Sequence, residues 1–169
     1  LDVIDLSANP YGLVVLADRR EIYVSGWTSG EVLVVDLDTR TEVAVIEVGK
    51  TPQGIEFDPE TGFVLVVNTD LDSLTVIDPE AREVVATLPT DPTQPDLYGG
   101  YPVETAVDEV GRRLYMAHSR ENRIAVFDAD TLDLLGSIPT QWYPTDVEFC
   151  ADCDGGPLLL VVSAKGVGT

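Results

Sequence analysis

The sequence is short of positive charge, histidine, cysteine and long apolar runs, and each shortage removes a class of function. Ten Lys and Arg stand against 30 Asp and Glu in 169 residues, a formal net charge of −20. Nucleic-acid surfaces and surfaces for anionic membranes both need Lys and Arg to meet phosphate, so both are disfavoured. Two residues are lysine, Lys50 and Lys165. An aspartate-rich, lysine-poor surface suits a high-salt or calcium-rich exterior, or simply keeps the protein in solution. No apolar run approaches the roughly 18 residues of a membrane-spanning helix. The chain opens on Leu without a signal-like start, as expected where a leader has been removed or the chain is a piece of a longer one.

The single histidine, His118, and the two cysteines, Cys150 and Cys153, cannot together fill the four positions of a structural zinc site. In "EFCADCDGG" a c-type haem attachment would need His after the second Cys, where Asp154 stands. A redox C-x-x-C opens a helix, and Gly155-Gly156-Pro157 opposes one. The expected arrangement is a local Cys150–Cys153 disulfide pinching a turn in an exported protein, with two reduced thiols as the alternative.

What is present is β-branched and periodic. The slot around a proline recurs as "ANPYGLVV", "KTPQGIEF", "GYPVETAV" and "WYPTDVEF", with prolines at 10, 52, 102 and 144. The long middle interval holds the insertion "DPTQPDLYGG" at 91–100, rich in Pro, Gly and Asp. Asp36, Asp78 and Asp128 keep the same rhythm, as turn residues that satisfy nearby backbone N–H groups. Within each unit the apolar pattern has period 2, as in "EIYVSG", "EVLVVDL" and "TEVAVIEV". Four antiparallel strands per repeat of this length is the arithmetic of a β-propeller blade. The fold expected is all-β, with repeats at 9–50, 51–100 and 101–142, half a unit at 143–169, and a lone last strand of a preceding blade at 1–8. Gly49-Lys50-Thr51 resembles the end of a phosphate-binding loop, but Ala44 stands where its first glycine should be, and strand rather than helix follows Pro52. The tripeptide reads as a crossover between blades.

The stretch "EIYVSGWTSGEVLVVDLDTRTEVAVIEVGKTPQGIEFDPETG" resembles the YVTN-type β-propeller repeats, with its Tyr-Val-Ser strand, Val-Val-Asp strand, Val-Gly ending and Pro-x-Gly restart. "FVLVVNTDLDSLTVIDPEAREVVATLP" and "RLYMAHSRENRIAVFDADTLDLLGSIP" follow the pattern more loosely. The resemblance implies an incomplete propeller here: lone strand, three blades and half a fourth. It would be completed by the remainder of a longer chain, a second copy or a protein partner. The resemblance says little about activity; the role expected is that of a secreted, periplasmic or cell-surface module that binds or assembles without catalysis of its own. The alternative is the scaffold of a larger enzyme, lactonase-like or preceding a phosphoesterase-type domain.

In such a fold, crossovers and inner loops share the face around the central channel, where ligands bind. Here that face is expected to carry Tyr11, Gln53, Tyr101, Trp142 and Tyr143 from the crossovers. Trp27, Asn68, Asp70, Asp72, His118, Arg120, Glu121, Asn122 and Lys165 come from the inner loops. Trp27, Asn68, His118, Arg120, Trp142 and Tyr143 are the leading candidates for contact with a ligand or partner. Asn68, Asp70 and Asp72 alternate in "NTDLDS" like the start of a calcium loop, yet Ser73 opens a strand where that loop needs glycine. An ordinary polar hairpin turn is the expected reading, and calcium the narrower one. No other cofactor, and no Ser-His-Asp set, is expected.

Overall fold

The computed structural model describes residues 3–93 and 99–164. Part of the expected insertion, residues 94–98, and the expected face residue Lys165 lie outside them. Among the described residues fourteen strands follow in chain order: β1 (Pro10–Leu16), β2 (Glu21–Gly26), β3 (Glu31–Asp36), β4 (Thr41–Glu47), β5 (Pro52–Asp58), β6 (Phe63–Asn68), β7 (Ser73–Asp78), β8 (Glu83–Pro89), β9 (Pro102–Asp108), β10 (Arg113–His118), β11 (Arg123–Asp128), β12 (Leu134–Pro139), β13 (Pro144–Cys150) and β14 (Leu158–Ser163). They form three four-stranded antiparallel meanders, β1 to β4, β5 to β8 and β9 to β12, and a two-stranded sheet of β13 and β14. The four repeat prolines are the first residues of β1, β5, β9 and β13. Proline tolerates this place because the first residue of a strand can go without a donated ladder bond. The innermost strands lie beside one another, β1 on β5, β5 on β9 and β9 on β13, so the sheets stand as blades around one axis.

The core is a series of seams rather than one centre. Tyr23, Val32 and Val34 of the first blade meet Ile55, Val64, Val66 and Ile77 of the second. Leu65, Val67, Leu74 and Val76 on the second blade's other face meet Leu114, Met116, Ala125 and Phe127 of the third. Val103, Ala106, Ala117 and Ile124 meet Val147 of the two-stranded sheet. Both faces of a middle strand are therefore buried, which is why "FVLVVN" reads as a continuous apolar run. Val64 and Val66 are fully buried, each stabilising by about 2 kcal/mol.

Polar contacts stitch the same seams. Ser25 Oγ donates to the Gln53 carbonyl at 2.7 Å, and Ser119 Oγ to the Pro144 carbonyl at 2.6 Å. The turn aspartates behave alike: Asp36 Oδ1 accepts from the Asp38 and Thr39 N–H groups, Asp78 Oδ1 from Glu80 and Ala81, and Asp128 Oδ1 from Asp130 and Thr131.

Residues 3–8, the described part of the stretch expected at 1–8 to be a last strand from a preceding blade, form no strand. A fourth strand needs a third strand to pair with, and none beyond the three blades lies beside it among the described residues. Instead Ser7 Oγ donates to both carboxylate oxygens of Glu42 at 2.9 and 3.0 Å. The outward face of the first blade shows Leu13 at 62 % exposure, together with Val15 and Val45. On the two-stranded sheet, Val162 is 56 % exposed beside Leu158 and Leu160. A groove of about 560 Å³ runs between the end of β12 and β14, lined by Ile138, Leu159 and Val161.

Candidate functional site

The crossovers set the face around the axis. Thr51, Tyr101 and Tyr143, each just before a repeat proline, take left-handed φ values of 54°, 56° and 62°. The residue before proline is disfavoured in the right-handed helical region. The left-handed turn instead aims its carbonyl back at the loop beneath. Thr51 O accepts from Thr69 N at 3.1 Å, Tyr101 O from Ser119 N at 3.0 Å and Tyr143 O from Ala164 N at 2.9 Å. The side chains of Tyr101 and Tyr143 are thereby fixed at the rim.

Gly49-Lys50-Thr51 is such a crossover. Gly49 N–H is capped by Asn68 Oδ1 at 2.9 Å, and an added Cβ on Gly49 would stand 2.4 Å from Asn68 Cγ. No side chain fits there. Asn68 Nδ2 donates to Ser73 Oγ at 3.1 Å and Thr75 Oγ1 at 2.8 Å. Asn68 is thus a fully buried clasp beneath the crossover rather than a group on the ligand face. The reason is positional: it is the last residue of β6, under the carbonyl cap, and not in the loop above.

The other two members of the alternating triplet go elsewhere. Asp70 Oδ2 accepts from Thr51 Oγ1 at 2.7 Å, while Asp72 accepts from the backbone N–H groups of Gly99 and Tyr101, the latter at 2.8 Å. The three side chains are used separately, to hold two crossovers. Among the described residues, no group of three or more His, Cys, Asp and Glu is arranged to hold a metal ion.

His118 occupies the same slot one blade later and is likewise interior, 1 % exposed. Nδ1 lies 3.1 Å from Glu121 Oε2, and Nε2 is buried without a hydrogen-bond partner among the described residues. Burial, then the nearby Arg123 charge, push its pKa down to about 4, outweighing Glu121 and Asp72, so the ring is neutral at pH 7. Arg123 joins the same chain, with Nε 2.7 Å from Glu121 and a terminal nitrogen 3.3 Å from Asp91. Exposed members of the expected face include Tyr11 and Trp27, 55 % and 46 % exposed with ring centroids 6.4 Å apart, Trp142, 58 % exposed, and the charged Asp70, Arg120 and Glu121. Arg120 lies over the Tyr101 ring at 4.4 Å from its centroid, a cation–π geometry. Asn122 Oδ1 accepts from Tyr143 N at 2.8 Å, and Gln53 is buried. Cys150 and Cys153 are joined as a disulfide across the turn after β13.

Residues not foreseen from the sequence line the axis itself. Glu56 on β5 and Glu104 on β9 face a pocket of about 250 Å³ together with Asp146 and Glu148 on β13. Burial chiefly, and then the neighbouring carboxylates, push both Glu56 and Glu104 up to about 7; one backbone N–H bond to each, from Phe57 and Thr105, only partly opposes the shift. Groups with such values take up and release protons around neutrality. The available signal was an acidic residue interrupting each innermost strand after the first, in "GIEFD", "ETAVD" and "DVEF".

The fold recurs in solved structures. The chain is similar to the hydrazine synthase of Kuenenia stuttgartiensis, with a TM-score of 0.81 and 22 % identity over 99 % of this chain and 46 % of that one. It is also similar to the dihydro-heme d1 dehydrogenase NirN in complex with DHE, at TM-score 0.67 and 16 % identity over 83 % of this chain and 30 % of that one. A third is apo AztD from Citrobacter koseri, at TM-score 0.62 and 19 % identity over 80 % and 36 %. The architecture is that of a partial β-propeller. The chain spans less than half the length of each of these structures. No protein-family model and no curated protein matches the sequence. Among the described residues no helix is long and apolar enough to cross a membrane.

Proposed function

We propose that this chain is a segment of a secreted, periplasmic or cell-surface β-propeller of the YVTN-repeat kind, acting in binding or structural assembly without catalysis of its own. One observation carries the reading: apolar blade surface is left uncovered at both ends of the stack, by Leu13, Val15 and Val45 on the first blade and by Leu158, Leu160 and Val162 on the last sheet. Blades bury such faces against neighbours, so further strands, from a longer chain, a second copy or a protein partner, cover them in the working protein. The Cys150–Cys153 disulfide supports an oxidising compartment.

Light scattering over a concentration series tests this. The purified chain should associate beyond 18.3 kDa, and Leu13→Ser with Val15→Ser should reduce the association. A monomer at every concentration, binding no apolar dye, would overturn it. The second reading, a scaffold part of a larger enzyme, draws on two proteins that are enzymes by name, hydrazine synthase and dihydro-heme d1 dehydrogenase NirN. At 22 and 16 % identity that likeness carries fold and not chemistry.

A further inference from the structure

A pocket of about 730 Å³ opens on the crossover face, with walls from three consecutive units: Trp27, Glu31 and Glu47 from the first blade, Lys50 before the second, Leu71 and Asp70, the latter bonded by Thr51, within the second, and Tyr101 before the third. Gly30 and Gly49 also line it, and the Gly49 N–H is held by the Asn68 clasp.

The charges in its wall are unusual for this chain. Arg19, Arg20, Arg82, Arg112, Arg113 and Arg123 each have a carboxylate oxygen between 2.5 and 3.9 Å away. Lys50 makes no such pair among the described residues, although 30 acidic residues surround it in the sequence. Glu31 and Glu47 are direct cross-strand partners in the β3–β4 ladder, and neither carboxylate makes an ion pair or hydrogen bond with a described residue. Like charges placed opposite one another on a sheet repel. Beside them the Trp27 ring stands 46 % exposed, with Leu71 also exposed.

We propose that this pocket binds a small zwitterion carrying a methylated ammonium and a carboxylate. The ammonium sits on the Trp27 ring between Glu31 and Glu47, and the carboxylate meets Lys50. An organic cation is held over indole by the ring's negative face, most strongly when quaternary. A plain anion is disfavoured by Glu31, Glu47 and the net charge of −20, and a plain cation, though attracted by the two carboxylates, leaves Lys50 without a counter-charge. A ligand bearing both signs satisfies both unpaired sets and leaves the charge balance unchanged. The site lies within complete blades and does not rest on the proposal that the stack is extended.

Calorimetric titration of the chain with glycine betaine and with the longer L-carnitine tests it, with choline and acetate as single-charge controls. At least one zwitterion should bind saturably, and acetate should not. Lys50→Ala should weaken zwitterion binding about tenfold, the scale of one hydrogen bond to a charged group, while leaving choline no weaker. Glu31→Gln with Glu47→Gln should weaken both zwitterion and choline. Circular dichroism of each variant shows whether the strands persist. Absence of saturable binding by either zwitterion to the folded chain, or binding indifferent to both sets of substitutions, would overturn the proposal.

Discussion

Glu56 and Asp58 lie two residues apart on β5, yet their carboxyl groups behave in opposite ways. Asp58, 1 % exposed, takes two bonds from the Arg112 guanidinium of the next blade, at 3.0 and 2.8 Å, and one from Thr61 Oγ1 at 2.9 Å. Burial alone would raise its pKa, but the bonds from Arg112 and Thr61 overcome this and hold it below its ordinary value. Glu56 has no cation among the groups that shift it, only the Phe57 N–H and neighbouring carboxylates, and burial takes it up to about 7. Burial is common to both, so the presence of a cation decides the outcome. The seam between the first and second blades repeats the Asp58 pattern: Glu21 is held by Arg82 at 2.5 Å and Arg19 at 3.0 Å. The rim away from the crossovers is thus ionically tied from blade to blade, whereas the axis carries carboxyl groups that are protonated below neutrality.

The largest expected effect comes from breaking the tied side. Arg112→Ala leaves Asp58 buried and unpaired and should cost about 3 kcal/mol, read as a lowered urea midpoint. Because the Asp58 pKa is depressed, the stability it contributes is present above its unfolded value of 3.8 and is lost as pH falls further.

The axial side has the reverse sign. Glu56 and Glu104 have pKa values raised from 4.5 to about 7, so the folded chain binds more protons than the unfolded one between those values. Stability should fall as pH rises through that window and level off above it. His118, lowered from 6.5 to about 4, works against them: its neutral form is retained on folding, so its contribution is lost as pH falls below 6.5. Between pH 5 and 6 the net slope should be that of about one proton (two taken up by the glutamates, one given up by the histidine). Denaturant titrations at several pH values check this. Glu56→Gln with Glu104→Gln should reverse the slope, and His118→Asn should steepen it to about two protons.

The smallest effect belongs to the exposed pair of Arg20 and Asp38, 2.7 Å apart with both side chains more than half exposed. Arg20→Ala should change stability by less than about 1 kcal/mol. An effect as large as that of Arg112→Ala would erase the distinction between buried and exposed pairs.

The strands and their grouping were legible because burial on one or both faces writes period-2 patterns or short β-branched runs, and because a proline opens each innermost strand. The turn aspartates were legible for a local reason, since each bonds N–H groups two and three residues ahead. Asn68 and His118 were misplaced on the ligand face, because counting from the proline locates a slot but does not tell whether it lies under or above the crossover. The contrast between Glu56 and Asp58 was not legible at all. It depends on Arg112, 54 residues further along the chain, arriving beside one carboxylate and not the other. The strand expected at 1–8 had the right pattern, but its described residues have no partner strand, and pattern alone does not make a ladder.

The account depends most on the last sheet being an open half-blade, and hydrogen exchange reads that directly. Amides of β14 in the purified chain should exchange far faster than those of β6, which is paired on both sides, and should slow when strands that complete the sheet are supplied. Protection of β14 equal to that of β6 in the chain by itself would contradict it.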